Sequence, residues 1–241
     1  MNETDLRFYF DPLCPFAWMT SKWVRRVSEQ RPYEVEWRFI SLRLVNADVD
    51  YATQFPPDYE QGHTAGLKLL RVAAALRRER GAGAVGSLYA GFGAGIFDTA
   101  PGDHDDPRAD PRAYAASVLS DLGLPGELAD AAEDAAFDAE IETDTDRALG
   151  LTGRDVGTPI LHFDPPAGAA LFGPVISRLP SPEDSVALWD HVVALSRFGG
   201  FAELKRSLRE MPQLRSFGVA DGDIGAQEDW EHGHRRDALA R

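Results

Sequence analysis

Residues 6–18 read LRFYFDPLCPFAW. Leu6 to Asp11 alternates apolar and polar side chains around three aromatic residues, the pattern of a short half-buried strand. Pro12-Leu13 makes a turn. Cys14 follows, and Pro15 opens an apolar, largely helical stretch that runs to about Gln30. Proline suits a first helical turn, because the N–H it lacks would have no partner within the helix there. Tyr33 to Ile40 then alternates Tyr, Val, Trp and Phe with charged residues, which reads as a second strand. The run is strand, cysteine at a helix N-terminus, helix, strand: a βαβ unit with its thiol at the carboxyl end of the first strand.

From about Pro57 to Leu149 the chain is rich in Ala, Leu, Arg and Glu, with helical periodicity and no strand signal. Helices are expected near Tyr59–Arg80, Val85–Ile96, Pro111–Leu122, Glu127–Ala132 and Phe137–Gly150. Asp110 is placed to cap the third of these, since its side chain can accept from the free N–H groups of the first turn. Strand signals return at Ile160–Phe163 and Ala169–Phe172, joined by a Pro/Gly turn as in a hairpin. A helix over about Pro182–Ser196 follows, and a shorter one near Phe201–Arg209. The order βαβ, helical block, ββα gives the expected fold class: α/β, a thioredoxin-like fold interrupted by a large all-helical insertion. The corresponding domains are 1–45 with 151–211 (thioredoxin-like, discontinuous), 46–150 (helical insertion) and 212–241 (a polar C-terminal tail, expected to be mobile or loosely docked).

Composition narrows the function. The chain has 241 residues, 44% of them hydrophobic and 27% charged, enough for a substantial core under an ordinary charged surface. No apolar run approaches the roughly 18 residues of a membrane-spanning helix. The first residues, MNETDLRFYFD, have neither the basic nor the apolar region of a secretory signal. With 25 Lys and Arg against 39 Asp and Glu, the net charge of −14 repels polyphosphates, so neither a nucleic acid nor an anionic membrane is an expected partner. One cysteine excludes an intrachain disulfide framework and any zinc site built from several thiolates. The expectation is a cytoplasmic protein.

A lone cysteine is ordinarily a small buried hydrophobe. Cys14 stands apart by its position. At a helix N-terminus the dipole and the free N–H groups of Phe16 and Ala17 favour a thiolate, so a depressed thiol pKa is expected. The second element is distant in sequence: Val156-Gly157-Thr158-Pro159-Ile160, with a proline at the entry of a strand. A cis bond is one reason for a proline there, an ordinary trans proline in a loop the other.

Four stretches carry a family resemblance: CPFAWMTSKW (14–23), VGTP (156–159), LFGPV (171–175) and FAELKR (201–206). Together they resemble the DsbA-like thioredoxin-fold family, and within it the mycothiol-dependent nitroreductase and disulfide oxidoreductase group. That group is related to 2-hydroxychromene-2-carboxylate isomerases and kappa-class glutathione transferases. The similarity runs from about Leu6 to Leu214. It implies thiol-dependent reduction of nitroaromatic or disulfide-type small molecules, with mycothiol or another low-molecular-weight thiol as co-substrate. It implies neither a metal nor a bound nucleotide, and it leaves room for a homodimer. The resemblance makes Cys14 the catalytic residue, with Pro15, Phe16, Trp18, Asn46, Tyr59, Thr158 and Pro159 as the substrate- and thiol-binding set. Core packing is the alternative for Trp18, and a turn or surface role for Asn46 and Tyr59.

The group usually carries C-P-W-C, whereas the fourth position here is Ala17. An internal disulfide cannot form, so a mixed disulfide on Cys14 is released only by an outside thiol. This leaves a monothiol cycle. The alternatives are a transferase or isomerase that activates a bound thiol toward an apolar electrophile, or a non-catalytic relative that only binds. Other strings carry less. GAGAVG (81–86) follows a helical LRRER rather than a strand, so it lacks the cradle of a dinucleotide site and reads as a helix–helix connection. Asp103-His104-Asp105-Asp106 and His232-Gly233-His234 read as solvated polar segments.

Overall fold

A computed structural model describes residues 4–100, 102, 106–206, 210–220, 223, 230–231 and 234–235. Strand β1 (Leu6–Phe10) leads through the Asp11–Leu13 turn into α1 (Pro15–Ser28), and β2 (Val35–Phe39) returns parallel to β1 with Phe8 opposite Trp37. After the helical segment, β3 (Ile160–Phe163) runs antiparallel beside β1, and β4 (Ala170–Phe172) forms the antiparallel hairpin with β3. The sheet order is β2-β1-β3-β4, so β1, which delivers the thiol, is central.

Because successive strand residues face opposite ways, β1 sends Leu6, Phe8 and Phe10 into the main core with Trp37, Phe39, Leu161 and Phe163. Tyr9 goes to the other face, where it meets Ile40, Ala148, Leu149 and Ile160. Helices α4 (Tyr59–Arg80) and α5 (Val85–Phe97) contribute to the first face, and α7 (Asp138–Thr152) covers the second. Helix α6 (Pro111–Asp121) begins after Asp110, whose carboxylate accepts from the Ala113 N–H at 2.9 Å, the cap expected from sequence. Helix α8 (Pro182–Arg197) packs on α1. There the Trp23 indole donates to the Ser185 carbonyl at 3.0 Å and tilts against Trp189.

Several expectations need correction. Two short helices, α2 (Leu42–Val45) and α3 (Tyr51–Gln54), stand where no element was expected, capped by the side chains of Ser41 and Asp50. The segment expected as Glu127–Ala132 is a 3₁₀ helix over Gly126–Glu133. No helix forms over residues 201–206. Phe201 is half-buried while residues 202–206 lie exposed, so that stretch has no apolar face to hold a helix. Residues 207–209, most of the tail, Asp103–Asp105 and His232-Gly233 lie outside the described residues. Gly81 ends α4 at φ 85°, and a 3₁₀ turn over Ala82–Ala84 leads into α5, so GAGAVG is a helix–helix connection. Among the described residues no helix is long and apolar enough to cross a membrane.

Candidate active site around Cys14

Cys14 is the residue that caps α1. Its extended backbone (φ −87°, ψ 111°) turns the chain out of the strand, and Pro15 occupies the first helical position. The sulfur accepts from the Ala17 N–H at 3.4 Å, a side-chain cap of the kind usually made by Ser or Asp. On its other side the thiol donates to the Thr158 carbonyl at 3.5 Å. The Thr158–Pro159 peptide is cis, and Thr158 is anchored by its hydroxyl to the Tyr9 carbonyl at 3.1 Å. Pro159 in turn accepts from Gly173 N–H at 2.8 Å. Two segments far apart in sequence therefore meet at one sulfur.

The electrostatics differ from the sequence expectation. The helix start does supply N–H groups from Ala17 and Phe16 that favour the thiolate. Burial outweighs them and pushes the Cys14 thiol up from 9.0 to about 12, with the Asp11 carboxylate adding in the same direction. The expected depression of the pKa is thus reversed. The residue retains 8% of its surface, and a charge in so little water loses more solvation than two N–H groups return. The contact with a carbonyl oxygen fits a neutral thiol, since S–H can donate to that oxygen and a thiolate cannot.

Asp11 is the participant that sequence reasoning missed. Its side chain is fully buried. One oxygen accepts from Leu13 N–H at 2.9 Å and the other from Leu42 N–H at 2.8 Å, while its backbone carbonyl accepts from Cys14 N–H at 3.1 Å. Gly66 of α4 leaves room for it, because a Cβ there would sit 2.6 Å from the carboxylate. Burial raises the Asp11 carboxyl from 3.8 to about 6 despite the two N–H groups. A local signal existed: an aspartate two residues ahead of an N–H in a turn is the Asx arrangement.

The other named residues divide. Pro15 and Phe16 flank the thiol on α1, half-buried. Trp18 belongs to the core, 4% exposed, with its indole donating to Asp98 at 3.2 Å and its ring lying against Gly93. Asn46 ends α2 and donates its side-chain amide to the Leu42 carbonyl at 2.8 Å. It therefore reaches the site only through α2. Tyr59 is 47% exposed and stacks on Phe55 at 5.5 Å, in a cluster with Tyr51 and His63. No group of three or more His, Cys, Asp or Glu able to hold a metal occurs among the described residues.

The family model of the mycothiol-dependent nitroreductase Rv2466c matches residues 13–206, from the Cys14 turn past α8. The chain belongs to this Rv2466c-like family. It is also 33% identical over 204 residues to the uncharacterized protein Rv2286c of Mycobacterium tuberculosis (strain ATCC 25618 / H37Rv), covering 84% of this chain and 82% of that one. The cytosolic disulfide reductase DsbM of Pseudomonas aeruginosa superposes with a TM-score of 0.50 at 16% identity, over 79% of this chain and 98% of DsbM. Its structure with GSH gives 0.51 at 16% identity, over 78% and 98%. These likenesses establish the DsbA-like thioredoxin fold. Family membership makes the protein an enzyme of the thiol-dependent oxidoreductase class.

Proposed function

We propose that the protein reduces small oxidised molecules, nitroaromatic or disulfide, with electrons from a low-molecular-weight thiol such as mycothiol, and that Cys14 carries the covalent intermediate. The observation that carries this reading is the meeting of Cys14 Sγ, the Ala17 N–H and the Thr158 carbonyl beside the cis Pro159. In the disulfide case the Cys14 thiolate attacks one sulfur. A Cys14–S–S bond forms, the substrate S–S bond breaks, and the departing thiolate takes up a proton. Two thiols from solution then return Cys14 to the free thiol, so one substrate disulfide and two thiols become two substrate thiols and one new disulfide. In the nitro case two thiols give one disulfide while the nitro group gains two electrons and two protons, becoming nitroso and releasing water. Ala17 cannot resolve the intermediate, so both thiols come from solution. A reducing compartment, the cytoplasm, suits this cycle.

Ionising Cys14 at neutral pH costs ~1.4 kcal/mol for each unit by which its pKa exceeds the pH, so the bound substrate has to favour the thiolate. That cost supports a second reading, in which Cys14 stays neutral and its S–H donates to a bound small thiol that adds to an apolar electrophile. The test is turnover of a nitroaromatic and of a small disulfide with mycothiol, by Cys14→Ser and Cys14→Ala. The covalent cycle requires that both variants lose activity completely. Conjugation of mycothiol to an apolar electrophile such as 1-chloro-2,4-dinitrobenzene, retained by Cys14→Ser and lost in Cys14→Ala, selects the second reading.

A further inference from the structure

Between β4 and α8 the chain runs irregularly over residues 173–181, with no strand ladder or helix to fix its place. Its position is set by the bonds it makes to other parts of the chain. At one end the Gly173 N–H donates to the Pro159 carbonyl at 2.8 Å, and the Pro174 carbonyl accepts from the Thr20 hydroxyl of α1 at 2.8 Å. The segment is thereby fastened to both elements that meet at the Cys14 sulfur. Further along, the Ser177 carbonyl accepts from the Gln213 N–H at 2.7 Å, and the side chains of Ser177 and Arg178 both donate to Glu210 Oε1, at 2.7 and 2.9 Å. Leu214, 2% exposed, roots this C-terminal stretch in the main core, and the 3₁₀ turn over Arg215–Phe217 lies against α5. Residues 212–217 are thus firmly packed, against the expectation of a loosely docked tail.

We propose that residues 210–217 form a strap across the Gly173–Arg178 segment, with Glu210 as its clasp, and that the strap keeps the Pro159 side of the site in place against Cys14. Glu210 is a positioning residue: it acts on the site through Ser177 and Arg178. Burying a carboxylate is costly unless its bonds are made, and Glu210, 9% exposed, spends one oxygen on two donors of the same segment. Without them the Ser177 end is left to the Gln213 backbone bond and to the packing of Ile176 and Leu179 on the core. An irregular segment held by so little opens locally, and the first bond on its path to the thiol is that between Gly173 and Pro159. The inference concerns the same site as the covalent cycle and rests on it for its catalytic meaning, but the strap itself is measured without turnover.

The test joins two readouts on the full chain: amide hydrogen exchange at Gly173, with the amides of β1 and α4 as internal references, and capping of Cys14 by methyl methanethiosulfonate, a small uncharged reagent that only the thiolate attacks. Glu210→Ala should speed Gly173 exchange at least about tenfold, as expected for losing bonds to a charged acceptor, while β1 and α4 keep their rates. Capping at pH 7.5 should rise about threefold or more, since a site loosened enough to give tenfold more thiolate returns part of the gain as lower nucleophilicity. Glu210→Gln, which keeps an acceptor oxygen for Ser177 and Arg178, should restore both rates most of the way. Gly173 exchange that does not change in Glu210→Ala overturns the proposal. So does acceleration spread equally over β1 and α4, which makes Glu210 a support of the whole fold, and so does faster exchange with unchanged capping, which cuts the strap from the thiol. Arg178→Ala removes one clasp bond from an exposed position and decides by the same criteria if Glu210→Ala does not fold. Turnover retained by Cys14→Ser would defeat the covalent cycle and leave the exchange result standing.

Discussion

Unfolding the chain should make its one thiol more reactive, the reverse of what an activated cysteine shows. The fold raises Cys14 from 9.0 to about 12, which at any pH below 9 leaves about a thousandfold less thiolate in the native protein than in the unfolded chain. A more basic thiolate is a better nucleophile, and with a Brønsted slope of about 0.45 this recovers about twentyfold. Native capping by methyl methanethiosulfonate should therefore run about fiftyfold slower than in urea at the same pH. The 8% exposure of the residue slows it further. The assay is stopped-flow or quenched capping at pH 7.5, read by intact mass, with a peptide spanning residues 11–18 as a denaturant-free reference. A native rate equal to or above that of the unfolded chain would refute the argument that desolvation outweighs the helix N-terminus.

Three further outcomes follow from packing. Gly93→Ala would place a Cβ 2.1 Å from the Trp18 ring, which is held in place by its bond to Asp98; overpacking of this kind costs about 1–3 kcal/mol and should appear as a lowered thermal midpoint. Asp144, 2% exposed, joins Arg38 at 3.1 Å to Arg77 at 2.6 Å. Asp144→Ala takes one of two carboxylate partners from each guanidinium, Glu36 still holding Arg38 and Glu140 still holding Arg77, and should cost about 1–3 kcal/mol in urea unfolding. Ala17→Cys places a second thiol one turn from Cys14, at the residue whose N–H lies 3.4 Å from Sγ. Mild oxidation should then remove both thiols from titration without forming dimers, and two persistent free thiols would contradict the placement.

The fold was legible wherever local pattern and long-range packing agree. Alternation in β1 and β2, Pro15 behind Cys14, Asp110 ahead of Pro111 and Gly81 after α4 each mark a boundary that the structure keeps. Helices α2 and α3 were not legible because four residues hold too little of a 3.6-residue period, although Ser41 and Asp50 are ordinary capping residues. The segment 201–206 shows the opposite error: helix-forming residues with no core to pack on stay irregular. In the site, the juxtaposition of Cys14 with Thr158-Pro159 was read from motifs 144 residues apart. The acidity of the thiol was not, because desolvation depends on how α4 and α5 close over the turn, which no local spacing encodes. Asp11 was read only as the end of the first strand, and its burial was not legible for the same reason.

The most direct test of Cys14 as the chemical centre is the intact mass of the protein after incubation with mycothiol disulfide. The account predicts one mycothiol added through a bond to Cys14, reversed by excess free thiol and absent in Cys14→Ser. A native protein that stays unmodified while it turns over substrate would contradict it.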